Sequence, residues 1–192
     1  MTARERLAQF AEKSERLPEL CRAYRNADTT VHLRELVGGA LPFYAAAAIE
    51  RTGGVHVFVA EDRDAAAYLL NDFYNLLDEE RICFFPSSFK RSAAYGAEDA
   101  QGVVQRTAAL SALRRFSEGY LVVCTYPEAL AERVADAETL QQGTIAVRVG
   151  DRIGPDVLEQ ALIDASFTRV DFVYEPGQYS VRGGIVDVFS YS

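Results

Sequence analysis

The sequence predicts an α/β domain with a parallel sheet, followed by a smaller α+β unit. Three observations carry this. Short apolar runs, Val55–Ala60, Ile82–Phe85 and Tyr120–Cys124, alternate with helical segments. Strands of that character, separated by helices, belong to parallel sheets covered on their faces. From Thr144 the pattern changes to a strand at 144–149, a helix at 156–165, and three short strands packed into 169–189.

Each element has a local reason. Residues 2–24 are rich in Ala, Leu, Glu and Arg, and Leu7, Phe10, Ala11, Leu17 and Leu20 form a rough helical stripe. Val31–Leu36 reads as a short strand. The glycine-containing turn Val37–Pro42 follows, then an Ala-rich helix at Phe43–Glu50 that Gly53-Gly54 ends. Glu61-Asp-Arg-Asp64 offers helix-start residues for Ala65–Leu77. Pro86-Ser-Ser88 breaks the second apolar strand, and 87–102 reads as a loop. Val103–Phe116 is expected as a helix with Val104, Ala108, Leu110, Leu113 and Phe116 on its apolar face. Pro127 suits the first position of a helix over Glu128–Val134. The alternation stops near Asp136, and Gln141-Gln-Gly143 marks the expected boundary between domains at 1–140 and 141–192.

A chain of 192 residues is long enough to bury a core. Its net charge of −8 argues against a dedicated duplex-DNA surface, which needs clustered positive charge. Lys90-Arg91 and Arg114-Arg115 are the basic candidates, and both read as solvated surface. No apolar run approaches the roughly 20 residues that span a bilayer. The charged, amphipathic N-terminus lacks a signal-peptide core, so a cytoplasmic location and no membrane partner are expected.

The three cysteines, Cys21, Cys83 and Cys124, are widely spaced, so no zinc site and no disulfide is expected. His32 and His56 stand apart from any acid or nucleophile and read as surface or strand-edge residues. Ser87 and Ser88 lack a nearby His–Asp set and a Gly-x-Ser-x-Gly elbow. No catalytic residue and no metal ligand is predicted.

The most informative stretch is Tyr174-Glu-Pro-Gly-Gln-Tyr-Ser-Val-Arg-Gly-Gly-Ile-Val-Asp-Val-Phe189. It reads as a strand, a Pro176-Gly177 turn, a short strand, an Arg182-Gly183-Gly184 corner and a third strand. Pro presets the first turn position and Gly supplies positive φ at the second. Ile185–Phe189 has the composition of a buried strand, and Asp187 within it needs a hydrogen-bonded partner if buried. Tyr179 and Phe189 read as core. By residue type alone, Arg182 either pairs with Glu175 or Asp187 or serves a partner.

This stretch resembles the Arg-Gly-Gly-hydrophobic-hydrophobic-Asp-hydrophobic-Phe signature shared by bacterial transcription-repair coupling factors (Mfd) and the excision-repair protein UvrB. The Glu175–Tyr179 lead-in is closer to the coupling factors. The resemblance runs from about Leu33 to the end and identifies the chain with their N-terminal UvrB-like module.

The resemblance implies a helicase-like first domain and a UvrA-interaction domain that the chain leaves incomplete. It implies a non-catalytic module that recruits UvrA to stalled RNA polymerase in transcription-coupled nucleotide excision repair. Arg182, with Glu175 and Gly183 beside it, is the implied partner-binding site. Arginine suits the role through its fixed fork of donors. The implied full-length parent is an ATP-dependent DNA translocase that uses ATP and magnesium, neither of which is expected in this chain. RNA polymerase and DNA would contact other parts of that parent, and its C-terminal region would hold this module at rest.

In UvrB the segment matching Glu35–Phe43 is a nucleotide-binding loop, Gly-x-x-x-x-Gly-Lys-Thr. Here Gly38 and Gly39 fall inside the loop, but Glu35 and Ala40 stand where glycine is required. Leu41 replaces the lysine and Pro42 the magnesium-binding hydroxyl. Without them, neither phosphate charge nor metal has its ligand, and Pro42 contributes no N–H to a phosphate nest. The loop is therefore degenerate, and Thr125-Tyr-Pro-Glu128, similar to a DNA-contacting helicase motif, reads as inherited structure. Two other readings remain: a UvrB-like nucleotide-dependent DNA-binding enzyme fragment, which the loop disfavours, and a self-association module.

Overall fold

The computed structural model of the chain describes residues 2–26, 28–89, 99–134 and 145–191. The first part is a three-stranded parallel sheet, β1 (Gly54–Val59), β2 (Ile82–Phe84) and β3 (Tyr120–Thr125), in the order β1-β3-β2. The helices are α1 (Ala3–Lys13), α2 (Leu17–Tyr24), α3 (Ala40–Thr52), α4 (Arg63–Leu76), α5 (Ala100–Arg115) and α6 (Pro127–Ala131). The predicted parallel sheet covered by helices is present. The central strand is buried from Leu121 to Thr125, as a strand packed on both faces must be.

The N-terminal stripe forms two helices, not one. Thr2 and Glu5 make a reciprocal capping box on α1, and α2 starts with Pro18 in its first turn. A proline there has no helical N–H to give, so the chain breaks at 14–16. Asp62 caps α4, its Oδ1 accepting from the Ala65 N–H at 2.8 Å. Pro127 occupies the first turn of α6 as expected. Helix α5 begins at Ala100 and buries Gly102, Arg106 and Ala109, while Ala108 faces solvent. The buried stripe is thus rotated from the expected one, because it includes a charged residue that hydropathy places outside.

Residues 31–36 are irregular and exposed, not a strand. Glu35 takes φ +62°, a left-handed conformation that ends any extended run. The expected strand at 144–149 is also absent over its described residues, 145–149. There the chain folds on itself: Asp151 N–H donates to Arg148 O at 3.0 Å, and Arg148 N–H to Asp151 Oδ2 at 2.8 Å. Lys90-Arg91, Asp136 and the proposed boundary at 141–143 lie outside the described residues.

On β1, Gly54 N–H bonds Gly119 O and Ala60 N–H bonds Thr125 O, both at 2.8 Å. The even-numbered residues therefore face β3, and the backbone groups of Val55, Val57 and Val59 point to the free edge. The opposite side-chain face of β1 is packed: the Phe58 and Phe73 rings lie 4.7 Å apart. All three cysteines are free. Burial pushes the Cys124 thiol up to about 12, so it behaves as a small hydrophobe. Among the described residues no helix is long and apolar enough to cross a membrane.

The second part holds α7 (Pro155–Asp164) and a small mixed sheet, β4 (Thr168–Arg169), β5 (Gln178–Arg182) and β6 (Ile185–Phe189). β4 runs parallel to β5, and β5 pairs antiparallel with β6. This matches the expected α+β unit.

Candidate partner-binding face

The β5–β6 hairpin is built by its two turns. Glu175–Gln178 forms a turn closed by Gln178 N–H to Glu175 O at 3.2 Å, with Gly177 at φ +81°. A Cβ at Gly177 would lie 2.0 Å from the Tyr191 hydroxyl, so both conformation and space require glycine. Gly183-Gly184 joins the strands, with Arg182 opposite Ile185. Only Gly183 has positive φ, +60°, the pattern of a type II′ turn. A Cβ on Gly183 meets open space, so its role is conformational.

Strand alternation sorts the hairpin into two faces. Tyr179 and Val181, with Val188 and Val186 opposite them, form one face. Tyr179 is buried, and its hydroxyl lies 3.2 Å from Glu159 on α7, which also receives Arg169 at 2.7 Å. Gln178, Ser180 and Arg182 form the other face, with Phe189, Asp187 and Ile185 opposite them.

A strap of chain, 171–175, crosses this second face, held by side chains at three alternate positions of β5. Gln178 Oε1 accepts from the Tyr174 and Glu175 N–H groups at 2.9 and 3.1 Å. Ser180 Oγ donates to Asp171 O at 2.9 Å. The Arg182 guanidinium carbon lies 5.5 Å from the centre of the Phe172 ring. One Arg182 nitrogen donates to Asp187. Of the two partners open to Arg182 in the sequence, the structure brings Asp187 to it; Glu175 instead bonds Gln178 at the turn.

Arg182 and Asp187 remain substantially exposed, at 53% and 42% of their side chains. An ion pair in that setting is worth about 0–1 kcal/mol, so it holds the arginine without consuming it. β6 is not the buried strand its composition suggested. Ile185, Val188 and Phe189 are exposed, and Phe189 is not core. β6 is an edge strand of a small sheet, with nothing among the described residues over its outer side.

The strap was not legible in the sequence. Its only trace is the period-two contrast of Gln178, Ser180 and Arg182 with Tyr179 and Val181.

The loop at 35–42 leads directly into α3. Gly38 takes φ +56°, Gly39 is the N-cap, and Ala40, Leu41 and Pro42 form the first turn, with Pro42 buried. Beside it lies a depression of about 310 Å³ lined by Arg6, Asp72 and Asn75 among others. Arg6 is the basic side chain there and comes from α1, not from the loop. Among the described residues no cluster of His, Cys, Asp and Glu suits a metal ion.

Residues 145–192 match the UvrB interaction domain. The chain is 25% identical over 158 residues to the transcription-repair-coupling factor of Bacillus subtilis (strain 168), covering 82% of this chain and 13% of that protein. To that of Haemophilus influenzae it is 26% identical over 159 residues, covering 81% and 14%. To that of Staphylococcus aureus (strain USA300) it is 26% identical over 121 residues, covering 63% and 10%. The chain thus spans a small fraction of the length of these relatives. It is homologous to the N-terminal region of transcription-repair-coupling factors and carries a UvrB interaction domain over residues 145–192.

Proposed function

We propose that this chain is the non-catalytic recruitment module of a transcription-repair-coupling factor, and that its second unit docks UvrA. The carrying observation is Arg182. It stands on the strap-crossed face of the hairpin, within the interaction-domain match, with one nitrogen on Asp187 and 53% of its side chain exposed. A guanidinium so placed suits bidentate capture of a carboxylate on a partner protein. Glu175 lies at the turn that leads into β5 and Gly183 at the turn that joins β5 to β6.

The α/β part serves as scaffold. Its loop at Glu35–Pro42 offers neither the lysine nor the hydroxyl that a nucleotide and its magnesium need, so no cofactor is assigned to this chain. ATP-driven translocation, contact with DNA and RNA polymerase, and the contact that holds the module at rest belong to other parts of the parent protein, acting in the cytoplasm.

The test is calorimetric titration of the chain with its cognate UvrA, wild type beside Arg182→Ala. The expected loss is more than about 1.5 kcal/mol, as for a hot-spot arginine. Equal binding by both moves the interface elsewhere. Absence of binding by both, repeated with a chain extended through the further strands that the resemblance implies, rejects the recruitment reading.

A further inference from the structure

Phe172 and Tyr174 stand on the strap at 58% and 77% exposure, and Ile185 and Phe189 on β6 at 63% and 43%. Single exposed apolar residues are ordinary on protein surfaces. Here Phe172 and Ile185 flank Arg182, while Tyr174 and Phe189 stand at the Gln178 end of the same face, a clustering that has the composition of a protein contact.

We propose that the 171–175 strap is part of the docking face, with Phe172 beside Arg182 and Tyr174 further along the strap, towards Gln178, forming an apolar shelf. The shelf receives an apolar side chain of the same partner segment whose carboxylate Arg182 binds. This rests on the recruitment reading and specifies what that partner must present: an acidic residue with an apolar neighbour on a protein surface.

Three features support the strap's part in binding. First, it is fixed: Gln178, Ser180 and Arg182 each hold it, so its aromatic side chains start from an ordered backbone and little ordering entropy remains to be lost. Second, the contact of Phe172 with Arg182 restrains the long arginine side chain while leaving it accessible. Third, the face lies opposite the one on which Tyr179 packs and bonds Glu159 of α7, so its outer residues Phe172, Tyr174 and Ile185 are not committed to that packing. Phe172 lies by the Arg182 guanidinium and Ile185 is its cross-strand partner, so a carboxylate bound there has apolar neighbours, which strengthens a charge-assisted bond. The positive centre selects against a purely apolar occupant, and the shelf selects against a fully solvated acid.

The experiment titrates UvrA with Phe172→Ala, Tyr174→Ala, Phe172→Leu and Arg182→Ala forms of the chain, each checked for an unchanged thermal midpoint and by sedimentation alone. The expected result is a Kd raised about 10-fold or more by each aromatic-to-alanine change, with Phe172→Leu between wild type and Phe172→Ala. If Arg182→Ala weakens binding while both alanine variants bind like wild type, the shelf is rejected and the recruitment reading stands. If wild type does not bind, alone or extended through the further strands that the resemblance implies, the recruitment reading falls and the shelf with it. If wild type sediments as a dimer that Tyr174→Ala dissociates, the face belongs to a second copy and the proposal is overturned.

Discussion

Arg106 lies 3.7 Å from the Glu132 carboxylate, and the two side chains together close the carboxyl end of the parallel sheet. Arg106 reaches Pro86 O at 3.0 Å, Ala129 O at 2.9 Å and Glu132 O at 3.2 Å, with its guanidinium carbon 4.0 Å from the Phe85 ring centre. Those carbonyls come from the exit of β2 and from the end of α6, a helix too short to satisfy its own last acceptors. The Glu132 carboxylate accepts from Ser88 N–H at 3.0 Å, from Ser88 Oγ at 2.7 Å, and from the Ser87 hydroxyl.

Breaking this pair is expected to destabilise the α/β part strongly. Arg106→Met leaves three carbonyls without this donor and removes the cation facing the Glu132 carboxylate, a loss on the order of 3–5 kcal/mol. Glu132→Gln keeps one acceptor and leaves Arg106 on its carbonyls, so about 1–3 kcal/mol is expected. Urea unfolding followed by far-UV circular dichroism gives both values, and the ordering matters more than either. A smaller loss in Arg106→Met than in Glu132→Gln contradicts the view that the arginine organises the cluster.

The same cluster sets an acid limb of stability. Burial alone raises the Glu132 carboxyl, but hydrogen bonds from Ser87 and Ser88 and the nearby Arg106 charge outweigh it and hold the group below its usual range. A depressed carboxylate contributes fully above the unfolded value of about 4.3 and loses that contribution as pH falls through the lower folded value. Chemical denaturation from pH 6 down to pH 3 is expected to show that loss in wild type and a flatter profile in Glu132→Gln. Parallel profiles in the two proteins refute the assignment.

Gly102 sits one helical turn before Arg106, and a Cβ there would lie 2.5 Å from Ser87 O. Alanine is a better helix former than glycine by about 1 kcal/mol. The clash is with backbone at the exit of β2, which cannot step aside without disturbing the Ser87–Glu132 bonds. Gly102→Ala is therefore expected to lower the melting temperature despite the propensity gain. A rise in the midpoint shows that this contact yields.

The loop at Glu35–Pro42 predicts nucleotide indifference. A ligand present at 100 times its Kd stabilises the folded state by about 2.7 kcal/mol, a shift that thermal unfolding reads easily. Millimolar ATP with magnesium is expected to leave the midpoint of this chain unmoved. A dose-dependent rise identifies a site and revives the reading of a nucleotide-dependent enzyme.

The sequence by itself determined the alternation of strands and helices, the Asp62 cap, the Pro127 helix start, and both turns of the hairpin. These depend on local chemistry: β-branched runs, a carboxylate before a helix, proline at a first turn, glycine where φ is positive. That Leu41 and Pro42 stand where the resemblance places a lysine and a hydroxyl was read from the sequence in the same way. Only the tertiary structure decided that 31–36 and 145–149 are not strands, since a β-branched run becomes a strand only if a neighbour accepts its hydrogen bonds. It also decided that Arg106 is inside and Phe189 outside. A buried guanidinium is paid for by three carbonyls from two segments distant from it in sequence, and an edge strand keeps one side bare however apolar its residues. The choice of Asp187 over Glu175 for Arg182, and the strap over Gln178, Ser180 and Arg182, follow from strand register and the path of 171–175, which no local pattern encodes.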